Sequence, residues 1–542
     1  MRYFNTAGPC SPKLHYMVPA AERLPEAQEL VQRGHYFVVH APRQTGKTTT
    51  LRALAEKLTA GGKFAALHFS CESGEPGGDN YGETQQAILG EIRIQAENYL
   101  PLELRPPEVW PAAPDLLLVR SALSAWARTC PRPLILIFDE IDALRGESLR
   151  SVLRQLRAGY PDRPTAFPHS VVLCGLRDVR DYKAASGGDP VRLGTSSPFN
   201  IKVESMRLGN FTLEEMRGLL AQHEAEAGQP FVPGTVEKVF DLTAGQPWLV
   251  NALAREVIEK MKVIPPTSIT AEHVEEAKER LILARATHLD SLVARLEEPR
   301  VRRVIEPLLT GSLEGITSYE EDFAYVRDLG LVAADGPVRI ANPIYREVIV
   351  RVLALPVERK VDAEARSFVG RDGRLDLDRL LEEFRAFWAE HGEALAAGIA
   401  YPEVAPQLVL MAYLQRVVNG GGYVDREYGV GRGRIDLLIR WPYRIPSGEK
   451  RWQREAMELK VWRPGRGDPV QDGLGQLEGY LERLELEHGY LVVFDRRGMP
   501  EKTETGPGRG HLVAARGPKG RAITVMVLPG PVPTPDAPLS GG

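Results

Sequence analysis

Lys47 and Thr48 close the stretch Ala41-Pro42-Arg43-Gln44-Thr45-Gly46-Lys47-Thr48, which brings together a lysine, a hydroxyl and a turn of backbone amides. That combination suits a polyphosphate. The amides curl around the oxyanions, the lysine reaches the outer phosphates, and the threonine hydroxyl ligates Mg²⁺. Thr49 extends the cradle into the next element, and Ala41 stands where the usual pattern begins with glycine. A second pair follows further on: Asp139-Glu140 ends the apolar run Leu134-Ile135-Leu136-Ile137-Phe138. Asp139 is placed to hold the Mg²⁺ shell and Glu140 to polarise an attacking water as general base. A bare Gly-Lys-Thr arises by chance, and two acids after a strand also suit a solvated turn. Both motifs in the required order predict a nucleotide site that takes ATP and Mg²⁺.

A third constellation lies near the carboxyl end. In Arg434-Ile435-Asp436-Leu437-Leu438-Ile439 the alternation of a strand sets Asp436 opposite Ile435, Leu437 and Ile439. In Met457-Glu458-Leu459-Lys460-Val461 it puts Glu458 and Lys460 on one face. If the strands pair, two carboxylates and a lysine converge, a set that holds Mg²⁺ and stabilises charge on a phosphodiester. Oxygen ligands with no cysteine nearby point to Mg²⁺ or Mn²⁺ over Zn²⁺. The competing reading is a charged strand face without chemistry.

The elements that must position these residues are legible as pattern. Tyr36-Phe37-Val38-Val39 precedes the phosphate loop and an amphipathic stretch (Leu51, Leu54, Leu58) follows it, which gives strand, loop, helix. Short apolar strands alternate with helices up to Ser170–Gly175, as in a parallel α/β sheet covered on both faces. From Phe211 the pattern is helical, opened by the capping box Thr212-Leu213-Glu214-Glu215. Between Arg303 and Val350 two helices and a small hairpin turning at Asp335-Gly336 suggest a winged helix. A charged stretch, Glu358 to Leu377, reads as linker, and a separate α/β domain follows. The expected domains are an ATPase core (1–207), a helical lid (208–298), a winged-helix-like unit (299–355), a helical linker (356–400), an α/β domain (401–530) and a disordered tail (531–542).

Composition sets the remaining bounds. The 542 residues carry 68 basic against 72 acidic side chains, so any surface for nucleic acid must be local. Cys10, Cys71, Cys130 and Cys174 have neither metal-ligand spacing nor the density of a disulfide framework. No apolar stretch approaches the ~18 residues of a membrane span, and the first residues lack a signal-peptide core. A cytoplasmic protein without a membrane partner is expected.

The opening Phe4-Asn5-Thr6-Ala7-Gly8-Pro9, then His15-Tyr16-Met17, then the phosphate loop resemble bacterial AAA-like ATPases, relatives of the archaeal-type and STAND P-loop ATPases. Gly245-Gln246-Pro247-Trp248 is similar to the Gly-x-Pro motif of their helical lid. Leu329-Gly330-Leu331-Val332 and Asn342-Pro343-Ile344-Tyr345 are similar to the winged helix that often follows. The resemblance covers residues 1–355. It implies that Lys47 and Thr48 serve phosphates and Mg²⁺, Asp139 and Glu140 metal and water, and that His15–Met17 and Pro247 lie near the adenine. Ordinary packing explains His15–Met17 equally well. After Leu173-Cys174-Gly175-Leu176, where such proteins carry a polar phosphate sensor, Arg177 is the candidate sensor or arginine finger, or else an exposed loop arginine. The winged helix either binds duplex DNA or relays the nucleotide state; without a concentrated basic stripe, the relay is favoured.

Asp436 followed by Glu458-x-Lys460 resembles the PD-(D/E)xK nuclease superfamily, a restriction-endonuclease-like fold. Gln476-Leu477-Glu478-Gly479-Tyr480 is similar to the Gln-x-x-x-Tyr element of its RecB-type branch. The resemblance implies that Gln476 and Tyr480 contact DNA or support the ligands, and makes Glu403 the best match for an acid on the preceding helix. The proline usual before the first acid is absent. The leading expectation is an ATP-dependent P-loop ATPase coupled to a Mg²⁺-dependent DNA nuclease, in defence or repair, with homo-oligomerisation left open. The alternatives are a STAND-like nucleotide switch whose last domain only binds, and an origin-recognition-like DNA-binding ATPase.

Overall fold

The computed structural model describes residues 1–176, 202–284, 294–310, 321–358, 368–397, 404–418, 421–430, 433–463, 467–497 and 511–529, with Leu289 and Gly465 besides. Arg177, Glu403 and the tail 531–542 lie outside the described residues. The chain divides into two compact units, Met1–Leu292 with Thr317–Tyr345, and Val293–Ile316 with Arg346–Gly542. Residues 299–355 are therefore shared between them. Among the described residues no helix is long and apolar enough to cross a membrane.

The first unit is built on a parallel sheet of five strands, β1 (Tyr36–His40), β2 (Ala65–Ser70), β3 (Leu134–Asp139), β4 (Ser170–Gly175) and β5 (Lys202–Arg207), in the order β2-β3-β4-β1-β5. Strands β3 and β4 are buried along their whole length, which is why they read as unbroken apolar runs. Helix α1 (Pro25–Gln32) and α2 (Lys47–Ala60) bear on one face, where Ala27, Val31, Leu51 and Leu54 meet Phe37, Val39, Ile135 and Ile137. Helices α3 (Tyr81–Tyr99), α4 (Leu118–Thr129) and α5 (Gly146–Gly159) cover the other, around Trp126 and Phe138. The phosphate loop and Asp139 thus stand at the carboxyl ends of their strands, where open α/β sheets bind ligands. Helices α6 (Leu213–Ala227), α7 (Thr235–Thr243), α8 (Pro247–Arg255) and α9 (Ala271–Leu283) follow. Thr212 and Glu215 close both halves of the expected capping box.

Helix α10 (Pro299–Thr310) belongs to the second unit, whereas α11 (Glu321–Asp328) and the bridge Val332↔Ile340 belong to the first. Helix α12 (Pro343–Glu358) begins in the first unit and runs into the second. The hairpin expected here is reduced to that single antiparallel bridge, with Gly336 at φ +77° in its turn.

The second unit carries six strands in the order β10-β11-β9-β8-β7-β6. Its elements are α13 (Leu377–Ala397), α14 (Ala405–Val418), β6 (Tyr423–Val430), β7 (Gly433–Arg444), β8 (Lys450–Trp462), α15 (Val470–Leu484), β9 (His488–Asp495), β10 (His511–Arg516) and β11 (Ala522–Pro529). Strands β6, β7 and β8 form an antiparallel meander, and α15 crosses over to place β9 parallel to β8. Leu474, Leu477 and Leu481 of α15 pack on Leu438, Ala456, Leu491 and Val493. The stretch expected as linker contributes α13, which is part of this unit. Phe384 packs edge-on to Tyr413 and Trp388 lies 5.3 Å from Phe494, with its indole N–H on the Pro529 carbonyl.

Candidate nucleotide site and a second carboxylate cluster

Gly46 is the N-cap of α2 at φ +86°, a left-handed geometry that glycine adopts without strain, and no side chain caps the helix. The first amides of α2 consequently face the loop with the positive end of the helix dipole behind them. Ala41 is buried and is not among the residues with positive φ, so its position does not demand the glycine of the usual pattern. Lys47 folds back, its Nζ donating to the carbonyls of Ala41 (2.7 Å) and Pro42 (2.9 Å). Thr45 also donates to Pro42 O, and Arg23 donates to Thr45 O from outside the loop.

Strand β4 separates β1 from β3, yet the Thr48 hydroxyl reaches Asp139 Oδ2 at 2.7 Å. The same oxygen meets His68 Nε2 at 2.9 Å, and Oδ1 accepts the Glu140 amide. Burial pushes the Asp139 carboxyl up, but the bonds from His68, Thr48 and Cys174 carry it below its ordinary value. Glu140 takes a left-handed backbone at φ +54°, and Ser70 donates to its Oε2 at 2.6 Å. Burial raises its carboxyl above the usual range; Ser70 opposes this, while the charges of Asp139 and Glu72 add to it. The two adjacent acids are thus shifted in opposite directions, Asp139 down and Glu140 up.

These residues line a cleft of about 620 Å³, within the range of small-molecule pockets. Arg43, Gln44, Gly46 and Thr49 contribute from the loop and helix, and Pro247 and Trp248 from α8. Tyr16 and Met17 also line it; His15 instead accepts the Ser11 amide and packs edge-on to Tyr3. The amino-terminal segment is tied across the cleft. Cys10 N donates to Thr49 Oγ1, while Thr6 accepts the Trp248 indole N–H and an Arg255 N–H. Gln246 caps α8 through the Leu249 amide and reaches Gln44 O, which links α8 to the phosphate loop. His68, Ser70 and Gln246 were not among the expected site residues. Their only sequence signal is polarity at alternate positions of β2 and between the glycine and proline of the lid motif. A different contact comes from the turn after α11: at Gly330 a Cβ would stand 2.8 Å from the Pro42 ring.

In the second unit the last paired residues of β7 and β8 are Leu437↔Met457, which sets Asp436 beside Glu458. There Asp436 Oδ2 accepts the Leu459 amide at 2.8 Å. Lys460 Nζ donates to Glu458 Oε1 at 2.8 Å and to Gln476 Oε1 of α15 at 2.6 Å. Asp436, Glu458, Lys460 and Gln476 are therefore gathered on the α15 face. Tyr480 packs against the apolar cluster under that helix. Glu478, between them, is buried and accepts the Lys519 and Arg521 amides, so it secures the β10–β11 turn. Among the described residues no three His, Cys, Asp or Glu side chains converge as a metal site. Each cluster instead offers two carboxylates, with the Thr48 hydroxyl at the first. That fits Mg²⁺, which keeps several waters and takes one or two carboxylates.

Residues 31–182 match the family model described as an AAA domain. No curated protein matches the chain. Among solved structures it is similar to the Walker-type ATPase Paby2304 of Pyrococcus abyssi, at 14% identity and a TM-score of 0.44 over 64% of this chain and 99% of that one. It is also similar to Cdc6p of Pyrobaculum aerophilum, at 15% identity and a TM-score of 0.35 over 64% and 97%. The Thermotoga maritima RuvB Holliday junction branch migration motor aligns at 14% identity and a TM-score of 0.32 over 61% and 93%. Within residues 31–182, then, the chain is AAA-like in sequence and carries a P-loop α/β sheet.

Proposed function

We propose that the chain is an ATP-dependent P-loop ATPase coupled to a Mg²⁺-dependent DNA nuclease in its second unit. The observation that carries the ATPase reading is the Thr48–Asp139 contact, 2.7 Å across an intervening strand, beside Lys47 and the uncapped start of α2. Mg²⁺-ATP supplies the electrophilic phosphoryl group. Lys47 and the first amides of α2 hold its phosphates, Thr48 and Asp139 hold the metal, and Glu140 takes the proton of the attacking water. Tyr16, Met17 and Pro247 form the wall on which the base rests.

For the nuclease, the support is the α14-β6-β7-β8-α15-β9 order and the gathering of Asp436, Glu458, Lys460 and Gln476 on one face. Asp436 and Glu458 hold the metal and Lys460 stabilises charge on the phosphodiester. The substrate class is DNA, cut internally or from an end, and self-association around the ATP site is compatible with this reading. A second reading, a nucleotide switch whose last unit only binds, draws on Gly330, which lets the turn after α11 lie against Pro42 of the phosphate loop. The test compares wild type, Lys47→Ala and Lys460→Ala for ATP binding, ATP turnover and plasmid cleavage with Mg²⁺. Lys47→Ala should lose nucleotide binding and Lys460→Ala only cleavage. Absence of cleavage under every nucleotide condition would leave the switch.

A further inference from the structure

Beyond the part of the sheet that α15 covers, β6, β7 and β8 carry aromatic and basic side chains in place of apolar ones. By register Tyr423 faces Arg440 and Arg440 faces Arg454, so Tyr423, Arg440 and Trp452 share the face that bears Glu458 and Lys460. The rings of Tyr423 and Trp452 lean together over the intervening strand, with centroids 5.8 Å apart. The Arg440 guanidinium lies 5.2 Å from one ring and 6.0 Å from the other, fixed by both carboxylate oxygens of Asp425. Lys450 Nζ stands 4.7 Å over Trp452. Even so, Tyr423 is 37% and Trp452 43% exposed. Cations pin the rings in place, yet their remaining area faces solvent.

The charge here departs from that of the whole chain. Residues 440–454 hold Arg440, Arg444, Lys450, Arg451 and Arg454 against the single acid Glu449, in a chain of formal net charge −4. Rigid, wet π-faces set among cations suit flat rings strung on phosphates. In a duplex the base faces are hidden by stacking, so such rings have nothing to meet. We propose that this face binds single-stranded nucleic acid, a base stacking on Trp452 and the flanking phosphates pairing with Lys450 and Arg444. The platform lies about 20 Å along β8 from Glu458, at ~3.3 Å per residue. It goes beyond the nuclease reading and does not require it.

The experiment measures binding of the full chain to labelled oligo(dT), oligo(U) and a blunt DNA duplex by fluorescence anisotropy. EDTA is present and nucleotide absent, so neither cleavage nor ATP enters the result. Single strands should bind more tightly than the duplex, and the dT and U arms tell DNA from RNA. Trp452→Ala should weaken single-strand binding about tenfold, and Trp452→Phe should recover most of it. Lys450→Ala should reduce the salt slope by about 0.7. Equal or tighter duplex binding, or Trp452→Ala and Lys450→Ala chains that bind oligo(dT) as wild type does, overturns the proposal. Should Trp452→Ala fail to fold, a bromouracil-substituted oligonucleotide cross-linked to the wild-type chain decides the matter. The cross-link falls on Tyr423 or Trp452, or the proposal fails. Cleavage with Mg²⁺ is read separately, so the loss of either idea is distinguishable from the loss of the other.

Discussion

Ser70 and His68 act on the two acids of the nucleotide cleft from one face of β2, and each makes a separable prediction. Ser70 lowers the Glu140 carboxyl against the burial that raises it. Ser70→Ala should therefore move the acid limb of the turnover profile to higher pH, since a general base works only when ionised. Glu140→Gln should keep ATP binding and lose turnover by about 10²–10⁴-fold. A Ser70→Ala profile that coincides with wild type would show that the bond has no bearing on the base. His68 fixes the Asp139 oxygen that also meets Thr48. Replacing such a partner of a metal-holding carboxylate costs about 10–100-fold in metal affinity, so His68→Ala should raise the Mg²⁺ needed for half-maximal turnover by that factor. The meeting of Thr48 with Asp139 could be anticipated from the chain because local motifs set their residue types and order. The contacts of His68 and Ser70 could not, because they exist only once β2 lies beside β3, with Ser70 paired to Asp139. Gln246 was hidden for the same reason: its partner Gln44 comes from a distant part of the chain.

Gly330 ends the turn after α11 at φ +80°, with the Pro42 ring where a side chain would stand. Gly330→Ala adds left-handed strain of about 1–2 kcal/mol and pushes on the phosphate loop. ATP affinity should fall along with the melting temperature; a stability loss with unchanged affinity would sever α11 from the nucleotide. Helix α9 offers a pH test. Burial raises Glu275 of α9, but Lys278 and Lys238 overcome it and hold the carboxyl at about 2. A depressed carboxylate stabilises the fold above its unfolded value near 4.5 and ceases to do so as pH falls toward 2. Glu275→Gln should thus cost at most about 3 kcal/mol at pH 7, with a gap to wild type that narrows as the pH falls to 3. A gap of constant size across that range would rule out the ion pairs as its source. Elements with continuous apolar runs or alternation were foreseeable, β1 to β4 and β7 to β9 among them. Strand β5, Lys202-Val203-Glu204-Ser205-Met206-Arg207, was not, because an edge strand needs few apolar residues and this one is chosen by its pairing with β1. Strand β10 escaped likewise; it is an edge whose Val513 stays half exposed.

At the scale of the molecule the proposal joins two sites that lie in separate units, and coupling between them has a thermodynamic signature that needs no knowledge of the path. If ATP changes the affinity of the chain for DNA by some factor, DNA must change its affinity for ATP by the same factor. The measurement is a square: the Kd of a non-hydrolysable ATP analogue with and without saturating oligonucleotide, and of the oligonucleotide with and without saturating analogue. Ca²⁺ replaces Mg²⁺ so that no strand is cut. Coupling of about 1–3 kcal/mol, 5–150-fold in each Kd, is the expected range for a device in which nucleotide gates the second unit. Lys47→Ala should collapse the square to a single DNA affinity, whereas Lys460→Ala should leave the ATP edge measurable. Equal factors other than one on opposite edges close the square and mean that the two ligands are coupled. Factors of one on all edges would mean two independent activities on one chain, each retaining its own site chemistry but with no gate between them.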